Sequence, residues 1–311
     1  MRKVLITGAD GFIGRHLVDE YLKRGDTFVI AIMSPRHSGG LSLIKDKNLY
    51  VTKIDLNQVL YHVDEFPDDI DTMFHFAWRG VKPELRNNLE VQMSNLAMTI
   101  NCMKLAIQKH IKKMVFPGST NEYVFYGKPL NKDAVPSPCN AYGAAKIALR
   151  YLCYDSSTRN DIEFIYSIIA GIYAADRKDS NVIYYTIEKL LKGEKPSLSE
   201  CRQLWDYVHI DDVVDALIAI GDKGKDGGVY GIGHGDNWEL KNYINIIHDI
   251  INPNIPIGYG EVPYTSNKLP SSCIDLTDIE KDTGWVPKIE YKDGIKNVIE
   301  KVKEDLFSET K

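Results

Sequence analysis

The sequence predicts an α/β protein built on a doubly wound parallel sheet, with a smaller mixed α/β lobe towards its C-terminal end. Two observations indicate this class. Short apolar runs alternate with amphipathic helical stretches over the first half of the chain, which is the pattern of βαβ units. Later in the chain the strands shorten and the helices follow no regular order, as expected of a lobe built from returns of the chain.

Length, charge and cysteine content exclude several classes of protein. At 311 residues the chain can form one large or two closely packed domains. Its net charge of −5 argues against a nucleic-acid binder or a protein of anionic membrane surfaces. No apolar run approaches the roughly eighteen residues of a membrane span, and no signal peptide is evident. Five scattered cysteines without a C-x-x-C pair fit reduced thiols, so we expect a cytoplasmic protein.

The opening stretch predicts a buried strand, a tight turn and a helix. Apolar residues precede three glycines spaced three apart, Gly8, Gly11 and Gly14, and an amphipathic pattern follows. In a Rossmann-type fold the first glycine allows the turn, the second admits a pyrophosphate and the third lets the helix pack. The helix N-terminus, with Phe12 and Ile13, would then face the phosphates of a dinucleotide. The alternative is a purely structural turn.

The end of the second predicted strand, Phe28 to Met33, bears on the choice of cofactor. An acidic residue there would bind the ribose 2′-hydroxyl of NAD, whereas an arginine accommodates the 2′-phosphate of NADP. This chain has Ser34 and Arg36 and no carboxylate. The sequence therefore favours NADP, with NAD as the alternative. An exposed loop arginine without a ligand is the other interpretation of Arg36.

Further strands and helices complete the predicted organisation. Strands are expected at 49–54, 72–76, 113–116 and 164–169, and helices at 89–108, 142–154, 181–192, 213–220, 239–251 and 294–306. We expect a dinucleotide-binding domain over residues 1–165 with a returning segment at about 199–230. The smaller lobe would comprise residues 166–198 and 231–311.

A tyrosine and a lysine are the strongest candidates for catalysis. Tyr142 and Lys146 are four residues apart on a predicted helix, so they share one face. A free tyrosine, with a pKa of about 10, is a poor acid or base at neutral pH. A neighbouring cation favours the phenolate and lowers that pKa. The pair also follows a strand that ends at two hydroxyl residues, Ser119 and Thr120.

This conjunction resembles the extended short-chain dehydrogenase/reductases that modify nucleotide sugars, the NAD-dependent epimerase/dehydratase family. The resemblance spans nearly the whole chain and also includes Asp55, Asn95, 136–138, 207–212 and 284–287. It implies a nucleoside-diphosphate sugar as substrate, gripped by the C-terminal lobe. It further implies a homodimer formed through the helices near 89–108 and 142–158.

The resemblance also implies roles for individual residues. Lys146 would bind the nicotinamide ribose and tune Tyr142, which would exchange a proton with a sugar oxygen while hydride moves at the adjacent carbon. Thr120, in preference to Ser119, would hydrogen-bond that oxygen. Further cofactor contacts are expected from Asp55 and Leu56 beside the adenine, and from Phe76 and Ala77 beneath the cofactor. The alternative for Asp55 is a cap on the following turn. Substrate contacts are expected from Trp78, Asn121, Glu122, Arg202 and Trp205.

Departures from the family pattern bear on the reaction. Asn121 and Glu122 stand where dehydratases carry Asp-Glu, and an amide cannot donate a proton as a carboxylic acid does. Glu122 is either a base or a turn carboxylate. Trp205 replaces a diphosphate-binding arginine, with Arg202 three residues earlier, and would either stack on a base or fill core. No histidines have metal-ligand spacing, so no metal site is expected.

Three hypotheses for function follow. The first is a reductase in which NADPH delivers hydride to a 4-keto nucleotide sugar and Tyr142 acts as the acid. The second is a 4-epimerase or 4,6-dehydratase, in which a retained NAD takes hydride and returns it. The third is a nucleotide-sensing regulator without turnover. The Tyr142 and Lys146 pair argues against the third, because a sensor has no need of a tuned phenol.

Overall fold

A seven-stranded parallel sheet forms the centre of the protein. The computed structural model describes residues 1–36, 40–124, 126–177, 181–264 and 271–308. The strands are β1 (Arg2–Thr7), β2 (Thr27–Met33), β3 (Leu49–Lys53), β4 (Thr72–His75), β5 (Lys113–Ser119), β6 (Glu163–Ile169), β7 (Gly171–Tyr173), β8 (Leu204–Trp205), β9 (Tyr207–His209), β10 (Val229–Ile232) and β11 (Trp238–Glu239). The sheet order is β10-β6-β5-β4-β1-β2-β3, so the chain winds outward in both directions from β1 and β4.

Helices cover both faces of this sheet. They are α1 (Phe12–Arg24), α2 (Leu89–Gln108), α3 (Ala141–Thr158), α4 (Val182–Leu191), α5 (Ile210–Lys223), α6 (Leu240–Ile251), α7 (Thr277–Thr283) and α8 (Tyr291–Ser308). Helix α1 packs beside α5, and α2 beside α3. Because each parallel crossover is right-handed, reversing the winding direction between β1 and β4 places these two pairs on opposite faces. The carboxyl ends of β1 and β4 therefore border the crevice in which such folds bind ligands.

Two hydrophobic clusters divide the interior. The larger contains the sheet and the helices beside it, and its strands are buried on both faces, as the continuous apolar run Val4–Ile6 requires. The smaller cluster joins α4, α6 and α8, with Tyr173, Tyr207, Tyr243 and Tyr291 in contact through their rings. Strands β7 and β9 pair in parallel, and β8 pairs antiparallel with β11.

The predicted fold class is confirmed, and the structure refines the elements. Strand β5 continues to Ser119, so the candidate hydroxyl residues lie at the carboxyl end of the strand. Helix α5 begins at Ile210 rather than Val213, because the His209 side chain accepts a hydrogen bond from the amide of Asp211 and caps the helix. The glycine-rich stretch after residue 228 contains the seventh strand of the main sheet, β10.

The lobe boundaries predicted from the sequence differ from the division of the interior into two hydrophobic clusters. The sequence places a boundary at residue 230, which falls inside β10. Ile274, Ile279 and Trp285 pack in the larger cluster, although the sequence assigns them to the smaller lobe. The division into lobes stays a prediction. Its physical basis is that α4, α6 and α8 share a separate core.

Candidate active site

The three N-terminal glycines form a turn that leaves no room for side chains. Gly8 has a φ of 65°, and a Cβ added to it would lie 2.6 Å from the backbone nitrogen of Ala77. A Cβ on Gly14 would lie 2.3 Å from the carbonyl oxygen of Gly8. The Gly11 amide donates to that same oxygen at 2.9 Å, which closes the turn. Close packing of β1, β4 and α1 therefore requires glycine at positions 8 and 14.

The N-terminus of α1 suits an anion. Its N-cap is Gly11, no side chain caps it, and its first turn contains no acidic residue. The amides of Phe12 and Ile13 consequently retain the positive end of the helix dipole at the crevice. These features fit the pyrophosphate of a dinucleotide, with the glycine turn allowing its close approach.

The crevice continues past the ends of β2 and β3. Arg36 is exposed, and its amide donates to the hydroxyl of Ser34 at 3.3 Å. Asp55 accepts two hydrogen bonds from Asn57, which lower the pKa of its carboxyl, with further help from the charges of Arg79 and Arg36. Arg36 and Asp55 thus face the same region of the crevice. Leu56 beside them is buried.

The segment after β4 forms the floor of the crevice. The Phe76 amide donates to the Thr7 carbonyl at 3.1 Å, and Ala77 contacts the glycine turn. His75 is fully buried between the hydroxyls of Thr7 and Thr99, at 2.7 and 2.9 Å. Burial lowers the pKa of His75 to about 3, so its ring is neutral and its role is to join β1, β4 and α2.

Lys146 lies in a buried pocket of aromatic rings. Its Nζ donates to the Pro117 carbonyl at 2.6 Å and lies 4.0 Å from the centre of the Trp78 ring. It also lies 4.7 Å from the Phe116 ring centre. Burial lowers the pKa of the Lys146 ammonium to about 7, and the Glu122 carboxylate opposes this shift. The ammonium form of Lys146 is therefore less favoured than that of an exposed lysine.

Tyr142 projects from the first turn of α3, which begins after the N-cap Asn140. Burial raises the pKa of the Tyr142 phenol to about 12, and a hydrogen bond with Ser119 and the charge of Arg86 act in the opposite direction. Lys146 Nζ lies 5.9 Å from the ring centre of Tyr142. The phenol is thus neutral at neutral pH and can act as a proton donor.

Of the two candidate hydroxyl residues, Ser119 is the one that contacts Tyr142. The sequence favours Thr120 for the bond to a substrate oxygen, and Thr120 begins the 3₁₀ turn Thr120–Glu122 immediately after β5. The assignment of Thr120 stays a prediction. Ser119 has a structural task as well, because its Oγ accepts the amide of Asn121 at 3.3 Å.

Glu122 is enclosed beneath this turn. Its carboxylate accepts the backbone amide of Ser119 at 2.6 Å and the hydroxyl of Tyr166 at 2.8 Å, and the side chain has no exposed surface. Burial raises the pKa of Glu122 to about 7. These contacts favour the turn carboxylate over the base, the two alternatives that the sequence leaves open. Asn121 Oδ1, by contrast, accepts hydrogen bonds from Asn140 and Arg86.

The remaining predicted substrate residues lie in different settings. Trp78 is held by a hydrogen bond from its Nε1 to Gln92 and meets the Tyr142 ring edge-on, with 5.6 Å between ring centres. Trp205 packs against the smaller hydrophobic cluster, and its buried Nε1 has no hydrogen-bond partner among the described residues. Arg202 is exposed and pairs with Glu200 at 3.2 Å. Trp78 therefore belongs to the Tyr142 site, whereas Trp205 packs in the smaller cluster and Arg202 lies on the surface.

Sequence reasoning missed two residues of this site. Arg86 lies over the Tyr142 ring, and its carbonyl accepts the Tyr142 amide at 2.9 Å. Gln92 is buried and binds Trp78 as well as the Gly80 and Leu85 carbonyls. Both are distant from Tyr142 in the chain, and neither lies in a spaced motif. The polar segment before α2 hints at Arg86 alone, because Gln92 lies within α2.

The described residues contain neither a cluster of metal ligands nor a membrane-spanning helix. No group of three or more His, Cys, Asp or Glu side chains among them could hold a metal ion. None of the helices in the described ranges combines the length and apolar character needed to cross a membrane. The five cysteines are free, with Cys139 exposed.

Comparisons with known proteins agree with this geometry. A family model described as "NAD dependent epimerase/dehydratase family" matches residues 4–233. The chain is 27% identical over 308 residues to a putative UDP-glucose 4-epimerase of Methanocaldococcus jannaschii, covering 95% of this chain and 97% of that protein.

Solved structures show the same fold. The UDP-glucose 4-epimerase of Thermotoga maritima, solved with UDP-glucose, matches with a TM-score of 0.85 and 23% identity over 98% of this chain and 99% of that one. The dTDP-glucose 4,6-dehydratase of Bacillus anthracis, solved with NAD, matches with a TM-score of 0.84 and 20% identity over the full length of both chains. With its glycine turn and Tyr142–Lys146 pair, this chain belongs to the NAD-dependent epimerase/dehydratase family and is an enzyme of the extended short-chain dehydrogenase/reductase type.

Proposed function

We propose that this enzyme reduces a 4-keto nucleoside-diphosphate sugar and uses NADPH as the reductant. The dinucleotide, when bound, supplies hydride to the carbonyl carbon. Tyr142 donates a proton to the carbonyl oxygen, and a hydroxyl of Ser119 or Thr120 holds that oxygen. Lys146 is the residue that would hold the nicotinamide ribose and stabilise the phenolate left on Tyr142.

The observation that carries the proposal is the fixed position of Trp78. Its indole lies beside the Tyr142 phenol and over Lys146, and the buried Gln92 anchors it. An epimerase must offer both faces of the reacting carbon in turn, so the sugar has to rotate within the site. A reductase needs only one orientation. A rigid indole beside the proton donor supports a site with one orientation.

The turn after β5 argues against dehydration. Removal of water needs an acid and a base beside the sugar, and Asn121 provides an amide at the first position. Glu122 at the second position is fully buried and occupied by Ser119 and Tyr166. Neither side chain therefore supports a 4,6-dehydratase.

The preference for NADPH rests on the end of β2. Arg36 and Ser34 follow the strand, and no carboxylate stands between Met33 and Arg36. An exposed guanidinium can form two parallel hydrogen bonds with a 2′-phosphate, whereas the end of β2 offers no carboxylate to the ribose hydroxyl of NAD. The solved Bacillus anthracis relative, which binds NAD, is the basis for keeping NAD as the alternative.

A 4-epimerase is the second candidate. The Methanocaldococcus and Thermotoga relatives carry that activity in their names, and their similarity spans nearly the whole chain. An epimerase regenerates its cofactor within each turnover and can retain NAD. A reductase has to exchange its cofactor after every turnover.

Nucleotide content of the purified enzyme separates these candidates. The purified enzyme is denatured, and any nucleotide that it releases is identified and quantified by liquid chromatography with mass spectrometry. We expect little retained cofactor, and added NADPH should bind more tightly than NADH. Near-stoichiometric NAD would contradict the reductase and favour the epimerase.

A further inference from the structure

Arg86 is a cation at the catalytic tyrosine that no motif identifies. Its guanidinium carbon lies 6.0 Å from the centre of the Tyr142 ring, within the range of a cation–π contact. Nε donates to the Val81 carbonyl at 2.9 Å, and Nη1 donates to Asn121 Oδ1 at 3.5 Å. The residue is held at both ends, because its own carbonyl accepts the Tyr142 amide. Its position over the ring is thus set by backbone contacts.

Other charged groups around Tyr142 define what Arg86 adds. Lys146 approaches from the same helix, and Glu122 approaches from the turn after β5. The carboxylate of Glu122 disfavours the phenolate, and burial disfavours the protonated form of Lys146. A guanidinium remains charged at every pH at which the enzyme is folded. Arg86 is therefore the permanent cation beside the phenol.

We propose that Arg86 is a positioning residue that holds Tyr142 and Asn121 and stabilises the phenolate formed when Tyr142 gives up its proton. The inference rests on the proposed acid role of Tyr142. Arg86, from the segment before α2, would then be a second cation beside the Tyr142 phenol, in addition to Lys146 on α3. The Arg86 charge also lowers the pKa of Tyr142, in keeping with this role.

The test is the pH dependence of reduction in Arg86 variants. A proton donor is lost as pH rises through its pKa, so turnover should fall on the basic side with the pKa of Tyr142. Removing a cation raises that pKa. In Arg86→Gln the basic limb should therefore move to higher pH by about 0.5 to 1 unit, as expected of a charge several ångströms away in a partly screened site. In Arg86→Lys, which keeps the positive charge, the basic limb should lie close to its wild-type position.

A matched control removes the same charge from the same loop. Lys82 is exposed and lies outside the site, so Lys82→Gln should leave the limb within about 0.2 unit of the wild type. A lower rate in Arg86→Gln with an unmoved basic limb would overturn the proposal and leave Arg86 with a packing role only. An equal shift in Lys82→Gln would overturn it as well, because net charge would then account for the effect.

A spectroscopic titration keeps the inference separate from the proposed reaction. Tyrosines are labelled with ¹³C at Cζ, and the Tyr142 signal is assigned by its loss in Tyr142→Phe. The pKa of Tyr142 should be higher in Arg86→Gln than in the wild type even if no ketosugar is reduced. An identical pKa in the two proteins would refute the role of Arg86. Failure of reduction with a shifted pKa would instead refute the proposed function alone.

Discussion

Tyr142 and Lys146 show how far a spaced motif can predict a site. Their four-residue spacing places them on one face of α3, and the sequence already indicates that pairing. The spacing does not indicate that Lys146 also lies over the Trp78 ring and bonds to Pro117. Nor does it indicate Arg86, whose approach depends on the path of the chain before α2. Local pattern predicts the motif, whereas the tertiary fold supplies its electrostatic surroundings.

The role of Tyr142 is tested by removing its hydroxyl. Tyr142→Phe keeps the ring and its contacts with Trp78 but cannot donate a proton. We expect turnover to fall by about 10²- to 10⁴-fold, the usual contribution of a general acid, with cofactor affinity within about threefold of the wild type. Steady-state kinetics and cofactor titration measure the two effects. Tyr151→Phe, exposed on the same helix, is the control and should retain turnover. Retained turnover in Tyr142→Phe would remove the residue from the mechanism.

Glu122 predicts a pH effect on stability. Its pKa is raised by burial from 4.5 to about 7 in the folded protein. The folded carboxyl therefore resists ionisation, and its contribution to stability is lost as pH rises from about 4.5 through 7. Relative to Glu122→Gln, the wild type should lose roughly 2 to 3 kcal/mol in free energy of unfolding over that range.

Urea unfolding at pH 4.5 and pH 7.5 measures this difference. Glu84→Gln, in the exposed 3₁₀ helix Pro83–Leu85, serves as the control and should follow the wild type. A difference between wild type and Glu122→Gln that does not change with pH would contradict the burial argument.

At the scale of elements, the turn between β1 and α1 is the part best predicted from sequence. Each of its three glycines has a different steric role, and in the structure a Cβ added at any of the three would meet backbone atoms. The end of β5 was harder to predict, because Pro117 and Gly118 suggest a break although both pair with β6. The start of α5 depends on a histidine cap, which sequence preferences do not favour.

The packing of the glycine turn predicts a severe effect for one methyl group. In Gly14→Ala the new carbon would clash with the Gly8 carbonyl, so α1 must move away from β1. We expect a loss of about 1 to 3 kcal/mol in stability and at least a tenfold loss in cofactor affinity. Thermal unfolding and cofactor titration provide the measurements. Gly40→Ala, where an added Cβ would meet no atom of the described residues within 4 Å beyond its chain neighbours, should be tolerated. Equal tolerance at both positions would show that close packing here is unimportant.

At the scale of the whole molecule, the sequence predicted the doubly wound sheet and the membership of the family. It could not predict which residues surround Tyr142, because these come from the ends of β4 and β5 and from the segment before α2. Trp205 illustrates the limit. The sequence alone does not decide whether Trp205 stacks on a nucleotide base or fills the core. In the structure it packs against the smaller cluster, and its Nε1 has no hydrogen-bond partner among the described residues.

The preference for NADPH over NADH depends on the crevice as a whole, and substitution of Arg36 tests it. Arg36→Ala should weaken NADPH binding by about tenfold, the value of one charged hydrogen bond, and leave NADH binding nearly unchanged. Lys45→Ala removes another exposed cation and should affect neither. Fluorescence titration of the wild type and both variants with NADPH and with NADH gives the six affinities. Equal losses for NADPH and NADH would mean that Arg36 does not contact a 2′-phosphate.

The central claim is that hydride passes from an exchangeable NADPH to the sugar. The enzyme is incubated with a 4-keto-6-deoxy nucleotide sugar and NADPH deuterated at C4, in separate reactions with each of the two C4 diastereomers. Mass spectrometry then determines the product. We predict one deuterium at C4 of the sugar from one diastereomer only, with one NADPH oxidised for each product formed. An unreduced ketosugar with no NADPH oxidised, together with C4 epimerisation of the corresponding 4-hydroxy nucleotide sugar in a parallel incubation, would contradict the account.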